Sequence, residues 1–182
     1  MTKTMKKLFI FILISITSFT FAQIENFSVA NRQITWQKIF STELKFEELA
    51  STLENNGLFY DIVKEENSIR FKFKDHKIDY KGFGKTLMST PNYIAGGQYA
   101  GNGTVDYKDG KYRVTINNIS YIYTSLDLSF GMSQSKFLLE DGTLKKGTDD
   151  FNKRFLTDAP LFDYSFSNLF KFEKYKAKND DW

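Results

Sequence analysis

The feature that most constrains the fold is a β-hairpin signal near the middle of the chain. Residues 100–107 and 111–122 are rich in β-branched and aromatic residues, and Lys108-Asp109-Gly110 joins the two runs. An Asp-Gly pair in this position is typical of a tight turn, because glycine readily adopts the positive φ angle that the turn requires. The hairpin predicts an antiparallel sheet.

Alternation of apolar and polar residues predicts further strands at residues 33–41, 58–64, 68–75 and 78–83. The helical spacing of Phe46, Leu49, Ala50 and Leu53 predicts a helix directly after the first of these strands. Phe151, Phe155, Phe162, Phe166, Leu169 and Phe170 also recur at helical spacing. Because Pro160 interrupts the last series, we predict two helices there, the second with its N-cap near Asp158. The order of elements indicates an α+β fold, with a C-terminal helix packed on the antiparallel sheet.

The first 22 residues have the organisation of a secretory signal peptide. Three lysines precede an apolar run at residues 8–14, and small residues lead to Ala22. A membrane anchor is the alternative, but a spanning helix needs about 20 apolar residues and this run is shorter. We therefore predict cleavage near Ala22-Gln23 and export to the periplasm or the extracellular space as a soluble protein. The predicted plan is a signal peptide at 1–22, an extension at 23–30, one domain at 31–172 and a polar tail at 173–182.

The charge balance of the mature chain limits its partners. The sequence has 25 Lys and Arg residues against 22 Asp and Glu. All three surplus positive charges lie in the leader, so the mature chain is neutral and shows no general basic patch for nucleic acid or anionic membrane. We expect a protein or another envelope component as partner, with no nucleic acid and no stable membrane insertion after cleavage.

Three stretches carry a family resemblance: residues 34–40 with the helix that follows, the glycine-rich residues 96–103, and residues 108–121. Together they resemble exported Bacteroidetes proteins with a domain of unknown function described as TATA-binding-protein-like (TBP-like). The resemblance covers about Asn31 to Phe172, and its best motif is Asp109-Gly110-Lys111-Tyr112-Arg113. It implies a fold and a compartment, but no catalytic residues and no DNA binding, because function depends on sites rather than on folds.

The residues that could support catalysis are few. His76 is the single histidine, and its neighbours Asp75 and Lys77 favour a polar turn between two strands over a general base. One histidine and no cysteine make a zinc site improbable. Gly84-Lys85-Thr86 lacks the earlier glycine of a phosphate-binding loop, since Asp79 stands at that position. We predict no catalytic residue, no metal and no cofactor.

The best candidate for ligand binding is the glycine-rich segment, with Gly97, Tyr99, Gly101 and Asn102 as the site residues. Glycines permit close approach of a ligand to the backbone. The alternative is a β-bulge or a bend where a strand begins. The 19 Phe and 10 Tyr residues either pack in the core or line an apolar pocket.

Three functions remain open from these observations. The leading hypothesis is a non-enzymatic envelope protein that binds through an exposed sheet face or groove. One alternative is an envelope hydrolase that uses His76, and the other is a carrier of a small apolar ligand.

Overall fold

The computed structural model describes residues 23–127 and 131–172, so the predicted signal peptide and polar tail lie outside the described residues. The strands are β1 (Gln23–Ile24), β2 (Phe27–Ala30), β3 (Gln33–Ser41), β4 (Phe59–Lys64), β5 (Ser68–His76), β6 (Gln98–Lys108), β7 (Lys111–Asp127) and β8 (Gly131–Leu138). The helices are α1 (Phe46–Glu54), α2 (Asn92–Ala95), α3 (Leu139–Thr143) and α4 (Lys153–Phe170), with a short 3₁₀ helix at Leu87–Ser89. Within the described ranges, no helix is long and apolar enough to cross a membrane.

The strands form one antiparallel sheet in the order β1-β2-β3-β7-β6-β5-β4. The long strand β7 organises this sheet. Its residues 111–122 pair with β6 along one edge, while β3 and then β8 pair with successive parts of the opposite edge. The predicted hairpin between β6 and β7 is confirmed, since Asp109 and Gly110 have φ angles of 47° and 72°. Positive φ at both central residues is the signature of a type I′ turn.

One face of the sheet carries the core, and α4 packs across it. The side chains of Phe155, Phe162, Phe166 and Phe170 on α4 are fully buried. The ring of Phe166 lies 5.7 Å from that of Trp36 and 6.3 Å from that of Phe73, measured between centroids. The opposite face is polar and open to solvent. The α+β class, with a C-terminal helix on an antiparallel sheet, is therefore confirmed.

Helix α4 is continuous, so the predicted division at Pro160 is wrong. The helix begins after Asn152, whose side-chain oxygen accepts a hydrogen bond from the Phe155 N–H at 2.9 Å. Proline removes one intrahelical hydrogen bond. The helix still forms because burial of its aromatic stripe on both sides of Pro160 contributes more than that bond.

The sheet also begins earlier than predicted. Residues 23–30, which the sequence suggested as an extension, form β1 and β2, and β2 pairs with β3. Phe27 and Val29 of β2 are buried in the core. The described sheet thus includes residues before the first predicted strand, which was expected to begin at Gln33.

Two loop assignments differ from the sequence prediction. Residues 78–83 form a turn instead of a strand, because the Asp79 carboxylate accepts a hydrogen bond from the Gly82 N–H at 2.8 Å and closes the chain on itself. His76 does not lie in a turn. It is the last residue of β5, where it pairs with Tyr99 and is buried.

Candidate functional site

A row of three aromatic side chains crosses neighbouring strands and leads from the core to the surface. Tyr99 of β6 pairs with Tyr121 of β7, which pairs with Phe137 of β8. The ring centroids are 5.6 Å apart in the first pair and 5.5 Å in the second. Tyr99 is fully buried, Tyr121 is partly buried, and Phe137 is 41% exposed. We call these three residues the aromatic ladder. Cross-strand aromatic pairs of this kind stabilise a sheet, and here the outermost ring remains accessible.

Tyr93 of the short helix α2 lies over the ladder. Its ring is 6.0 Å from that of Tyr121, and its backbone carbonyl accepts a hydrogen bond from the Tyr99 hydroxyl at 2.9 Å. Its own hydroxyl donates to the Asp158 carboxylate of α4. Gly97 makes this approach possible, because a Cβ atom there would lie 2.1 Å from the Tyr93 carbonyl oxygen.

Arg154, in the first turn of α4, lies next to Tyr93. Its guanidinium lies 4.6 Å from the centroid of the Tyr93 ring, a cation–π distance. The Arg154 Nε lies 4.0 Å from an Asp158 oxygen, and the Arg154 side chain is 61% exposed. Among the residues that the structure describes, its two terminal nitrogens donate to no protein acceptor. The guanidinium therefore lies over the Tyr93 ring, while its two terminal nitrogens stay available.

These side chains enclose a pocket of about 360 Å³. Tyr93, Tyr121, Phe137 and Arg154 line it together with Asn92 and with Leu139, Gly142 and Thr143 of α3. We call it the aromatic pocket. At Gly142 an added Cβ would lie 3.8 Å from the Tyr121 hydroxyl, so the absence of a side chain there leaves that hydroxyl open.

Both pocket tyrosines are held in their neutral form. Burial raises the pKa of Tyr93, and the hydrogen bond to Asp158 raises it further. Burial also raises the pKa of Tyr121, although the nearby Arg154 charge acts in the opposite direction. The Tyr93 hydroxyl donates a hydrogen bond to Asp158, whereas the Tyr121 hydroxyl has no hydrogen-bond partner within residues 23–127 and 131–172. Tyr121 can therefore donate a hydrogen bond to a ligand.

A second, wider groove of about 820 Å³ lies at the end of the sheet near the β6–β7 turn. Three of its charged side chains form exposed ion pairs: Arg113 pairs with Asp106 at 2.9 Å, and Glu65 pairs with Arg70 at 2.7 Å. Glu66, Lys108, Asp109 and Lys111 also line this groove, so it is broad and carries charges of both signs, without the stacked rings of the aromatic pocket. The aromatic pocket, with its free donors, is the better candidate.

The structure does not bring the four residues predicted from the sequence together in one site. Gly97 and Tyr99 lie against Tyr93, which lines the aromatic pocket, but they do not line the pocket themselves. Gly101 faces the core, where a Cβ would lie 2.8 Å from the Phe73 ring, so this glycine leaves room for an aromatic side chain. Asn102 is exposed in the strand position next to Gly101, on the opposite face of the sheet. Ligand binding at these residues stays a prediction.

Sequence reasoning did not identify Tyr121, Phe137 or Arg154 as site residues. Tyr121 was predicted within a strand, and only the spacing of aromatic residues in adjacent strands could have indicated a stack. Phe137 belongs to β8, which was not predicted, and Arg154 has no local signal. Their proximity results from tertiary structure alone.

His76 forms a pair with Ser165 away from both cavities. Its Nε2 lies 3.0 Å from the Ser165 hydroxyl oxygen, which also accepts a hydrogen bond from the Asp79 N–H at 2.9 Å. Burial lowers the pKa of His76 to about 4, while the Asp79 charge opposes this shift. Both side chains are buried, and neither lines the aromatic pocket or the wider groove. The pair ties the loop after β5 to α4, and this position offers no access to a substrate.

Comparisons with known proteins give two similar structures. No protein-family model and no curated protein matches the chain. A crystal structure of a TBP-like protein from Parabacteroides distasonis is 13% identical, with 82% of this chain and 92% of that chain covered and a TM-score of 0.45. A DUF4468 family protein from Bacteroides ovatus is 14% identical, with coverage of 85% and 96% and a TM-score of 0.42. The first of these proteins is described as TBP-like and the second as a member of a DUF family, and both come from Bacteroidetes.

Proposed function

We propose that the mature chain is an exported, non-enzymatic binding protein of the cell envelope and that the aromatic pocket is its binding site. The observation that supports this proposal is that the aromatic ladder runs from the core to the surface. Its inner ring is fixed in the core, while its outer ring, Phe137, remains exposed beside the free donors of Arg154 and Tyr121. Apolar walls with a few convergent polar groups are the usual make-up of small-ligand sites.

Binding is favoured over catalysis by the kinds of groups that face the pocket. Arg154 and Tyr121 are donors that can hold a ligand, and Asp158, the carboxylate beside them, already accepts a hydrogen bond from Tyr93. A hydrolase requires a base that can reach its substrate. The His76–Ser165 pair is buried elsewhere, so the hydrolase alternative gains no support from its geometry.

Export is supported by the leader, in which three lysines precede an apolar run and small residues lead to Ala22.

The proposal can be tested by NMR with an aqueous extract of the cell envelope. We expect the extract to shift the backbone amide signals of Tyr121, Phe137 and Gly142 in ¹⁵N-labelled mature protein. Phe137→Ser should abolish these shifts, because it removes the exposed ring. Met88→Ser is the matched control, since Met88 is 99% exposed and does not line the pocket. Unchanged shifts in Phe137→Ser, or shifts confined to the solvent face of the sheet, would contradict the proposal.

The carrier alternative makes a different prediction for the same protein. A small apolar-ligand carrier should retain its cargo during purification, and native mass spectrometry of the envelope-purified protein would then show an added mass of lipid size. Our proposal expects the mass of the chain alone after dialysis, since the pocket is small and opens to solvent at Phe137.

A further inference from the structure

We propose that the aromatic pocket recognises a singly charged carboxylate attached to a flat apolar group. This inference rests on the proposed binding function and specifies the ligand for that site. It follows from three features of the pocket: its free donors, its open aromatic face and the charges nearby.

The donors are suited to a carboxylate. The guanidinium of Arg154 is planar and lies 4.6 Å from the centroid of the Tyr93 ring, and its terminal nitrogens donate to no acceptor among the described residues. A guanidinium edge matches the two oxygens of a carboxylate and forms two parallel hydrogen bonds. The Tyr121 hydroxyl, neutral and without a partner in the described part of the chain, supplies a further donor.

The surrounding charges restrict the ligand to one negative charge. Asp158 of α4 lies beside Arg154, and Asp141 of α3 is near enough to Tyr121 to raise its pKa. The Asp141 carboxylate also accepts a hydrogen bond from the Leu138 N–H at 3.1 Å, so it is fixed in place. Arg154 carries the one positive charge among the residues that line the pocket, so the two carboxylates repel a dianion such as a phosphate ester more strongly than a monoanion.

Phe137 and Tyr121 determine which apolar group of the ligand can bind. Their rings stack at 29° to each other, and the exposed Phe137 leaves an aromatic surface open to a flat partner. A volume of about 360 Å³ suits a small molecule or one terminal residue of a peptide. The Tyr93 ring is not available to a cationic ligand, although aromatic walls often bind cations, because the Arg154 guanidinium already covers it.

Three probes of related shape test this inference by NMR titration of the mature protein. Phenylacetate carries both the ring and the charge, phenylacetamide carries the ring alone, and acetate carries the charge alone. We expect phenylacetate to shift the Tyr121, Phe137 and Gly142 signals and to bind at least tenfold more tightly than either of the other probes, since a charge-assisted pair of hydrogen bonds is worth about that factor. Equal affinity for phenylacetate and phenylacetamide would overturn the inference.

A second comparison identifies the source of the carboxylate. The tripeptide Gly-Gly-Phe, tested with a free and with an amidated C-terminus, presents the same chemistry as the end of a peptide. Tighter binding of the free tripeptide than of phenylacetate would assign the site to peptide C-termini. Tighter binding of phenylacetate would assign it to small aromatic acids. Either ranking supports carboxylate recognition, provided that the amidated peptide binds more weakly.

Two matched variants test the role of the guanidinium. Arg154→Gln should weaken phenylacetate binding at least tenfold. Lys153→Gln removes the same charge one residue earlier, on an exposed side chain that does not line the pocket, and should leave the affinity unchanged. Equal affinities of the two variants would refute the role assigned to Arg154.

The outcomes separate this inference from the proposed function. If the envelope extract shifts the pocket signals but phenylacetate does not, the pocket binds a ligand of another class and only the carboxylate inference fails. If neither produces a shift, the binding function fails as well.

Discussion

At the scale of single residues, burial decides what His76 does. Its pKa is lowered to about 4 by burial, against an ordinary value of 6.5 in the unfolded chain. Between these two pH values the unfolded chain binds the proton more strongly, so acidification favours unfolding. The stabilisation is complete above about pH 6.5 and is lost as the pH falls towards 4.

We predict that His76→Gln, which cannot titrate, will show a weaker pH dependence of stability than the wild type. From pH 7 to pH 4 the wild type should lose up to about 3 kcal/mol more of its unfolding free energy than the variant. Urea denaturation at a series of pH values measures this difference. The contributions of the carboxylates to the pH dependence cancel, because both proteins contain them. Parallel pH profiles for the two proteins would show that His76 is not buried as the structure describes.

Asp163 of α4 is a second residue whose contacts define its role. One carboxylate oxygen accepts hydrogen bonds from the Asn26 side chain at 2.6 Å and from the Trp36 indole at 2.8 Å, and the other pairs with Lys38 at 3.0 Å. It thereby joins the helix to β3 and to the β1–β2 turn.

Asp163→Ala should lower the unfolding free energy by about 2–3 kcal/mol, because the buried indole N–H of Trp36 loses its acceptor. Asp106→Ala is the control, since Asp106 forms an exposed pair with Arg113 and should cost less than about 1 kcal/mol. The urea midpoint, followed by tryptophan fluorescence, measures both effects. A similar loss in the two variants would contradict the assigned network.

At the scale of secondary-structure elements, α4 is the main partner of the sheet. Phe166 is fully buried and contacts the rings of Phe27, Trp36 and Phe73. Phe166→Ala should destabilise the protein by about 3–5 kcal/mol through lost burial and a residual cavity. Leu156→Ala on the same helix should cost much less, because Leu156 is 46% exposed. Thermal unfolding compares the two, and an unchanged melting temperature for Phe166→Ala would show that α4 is not part of the core.

The elements also show which parts of the fold could be predicted from the sequence. Strand β3 was predicted with its observed bounds, and the β6–β7 turn with its residues, because alternation and Asp-Gly turn chemistry are local signals. Strand β8 was missed, since Gly131, Ser133, Gln134 and Ser135 give it no alternating pattern and pairing with β7 determines its conformation. The break at Pro160 was wrong for a related reason: packing against the sheet outweighs a local preference.

The aromatic pocket could not be predicted because its walls are distant in sequence. Tyr93, Tyr121, Phe137 and Arg154 belong to four different elements, and the register of β7 with β8 is needed to place Phe137 beside Tyr121. The glycine-rich segment was predicted as the candidate binding site, and that role stays a prediction. The structure gives a packing reason for that composition, since Gly101 and Gly103 accommodate the rings of Phe73 and Phe71.

At the scale of the whole molecule, we predict that the mature chain begins at Gln23. Cleavage there leaves a chain with equal numbers of acidic and basic residues, in which β1 is the first element. Intact-mass measurement of protein from the envelope fraction should give the mass of residues 23–182. A mass that includes Met1 would overturn the predicted export route.

The position of β7 in the middle of the sheet has a consequence for when the chain can fold. Strand β3 lies near the N-terminus, yet Thr35 pairs with Asn117 and Ser41 with Lys111. An emerging chain cannot complete this pairing until β7 has been synthesised, and pairings between such distant segments form slowly. Secretion pores that thread an extended polypeptide need a substrate that has not yet collapsed. If the chain is exported as we propose, its topology would delay collapse and so help to keep it competent for translocation.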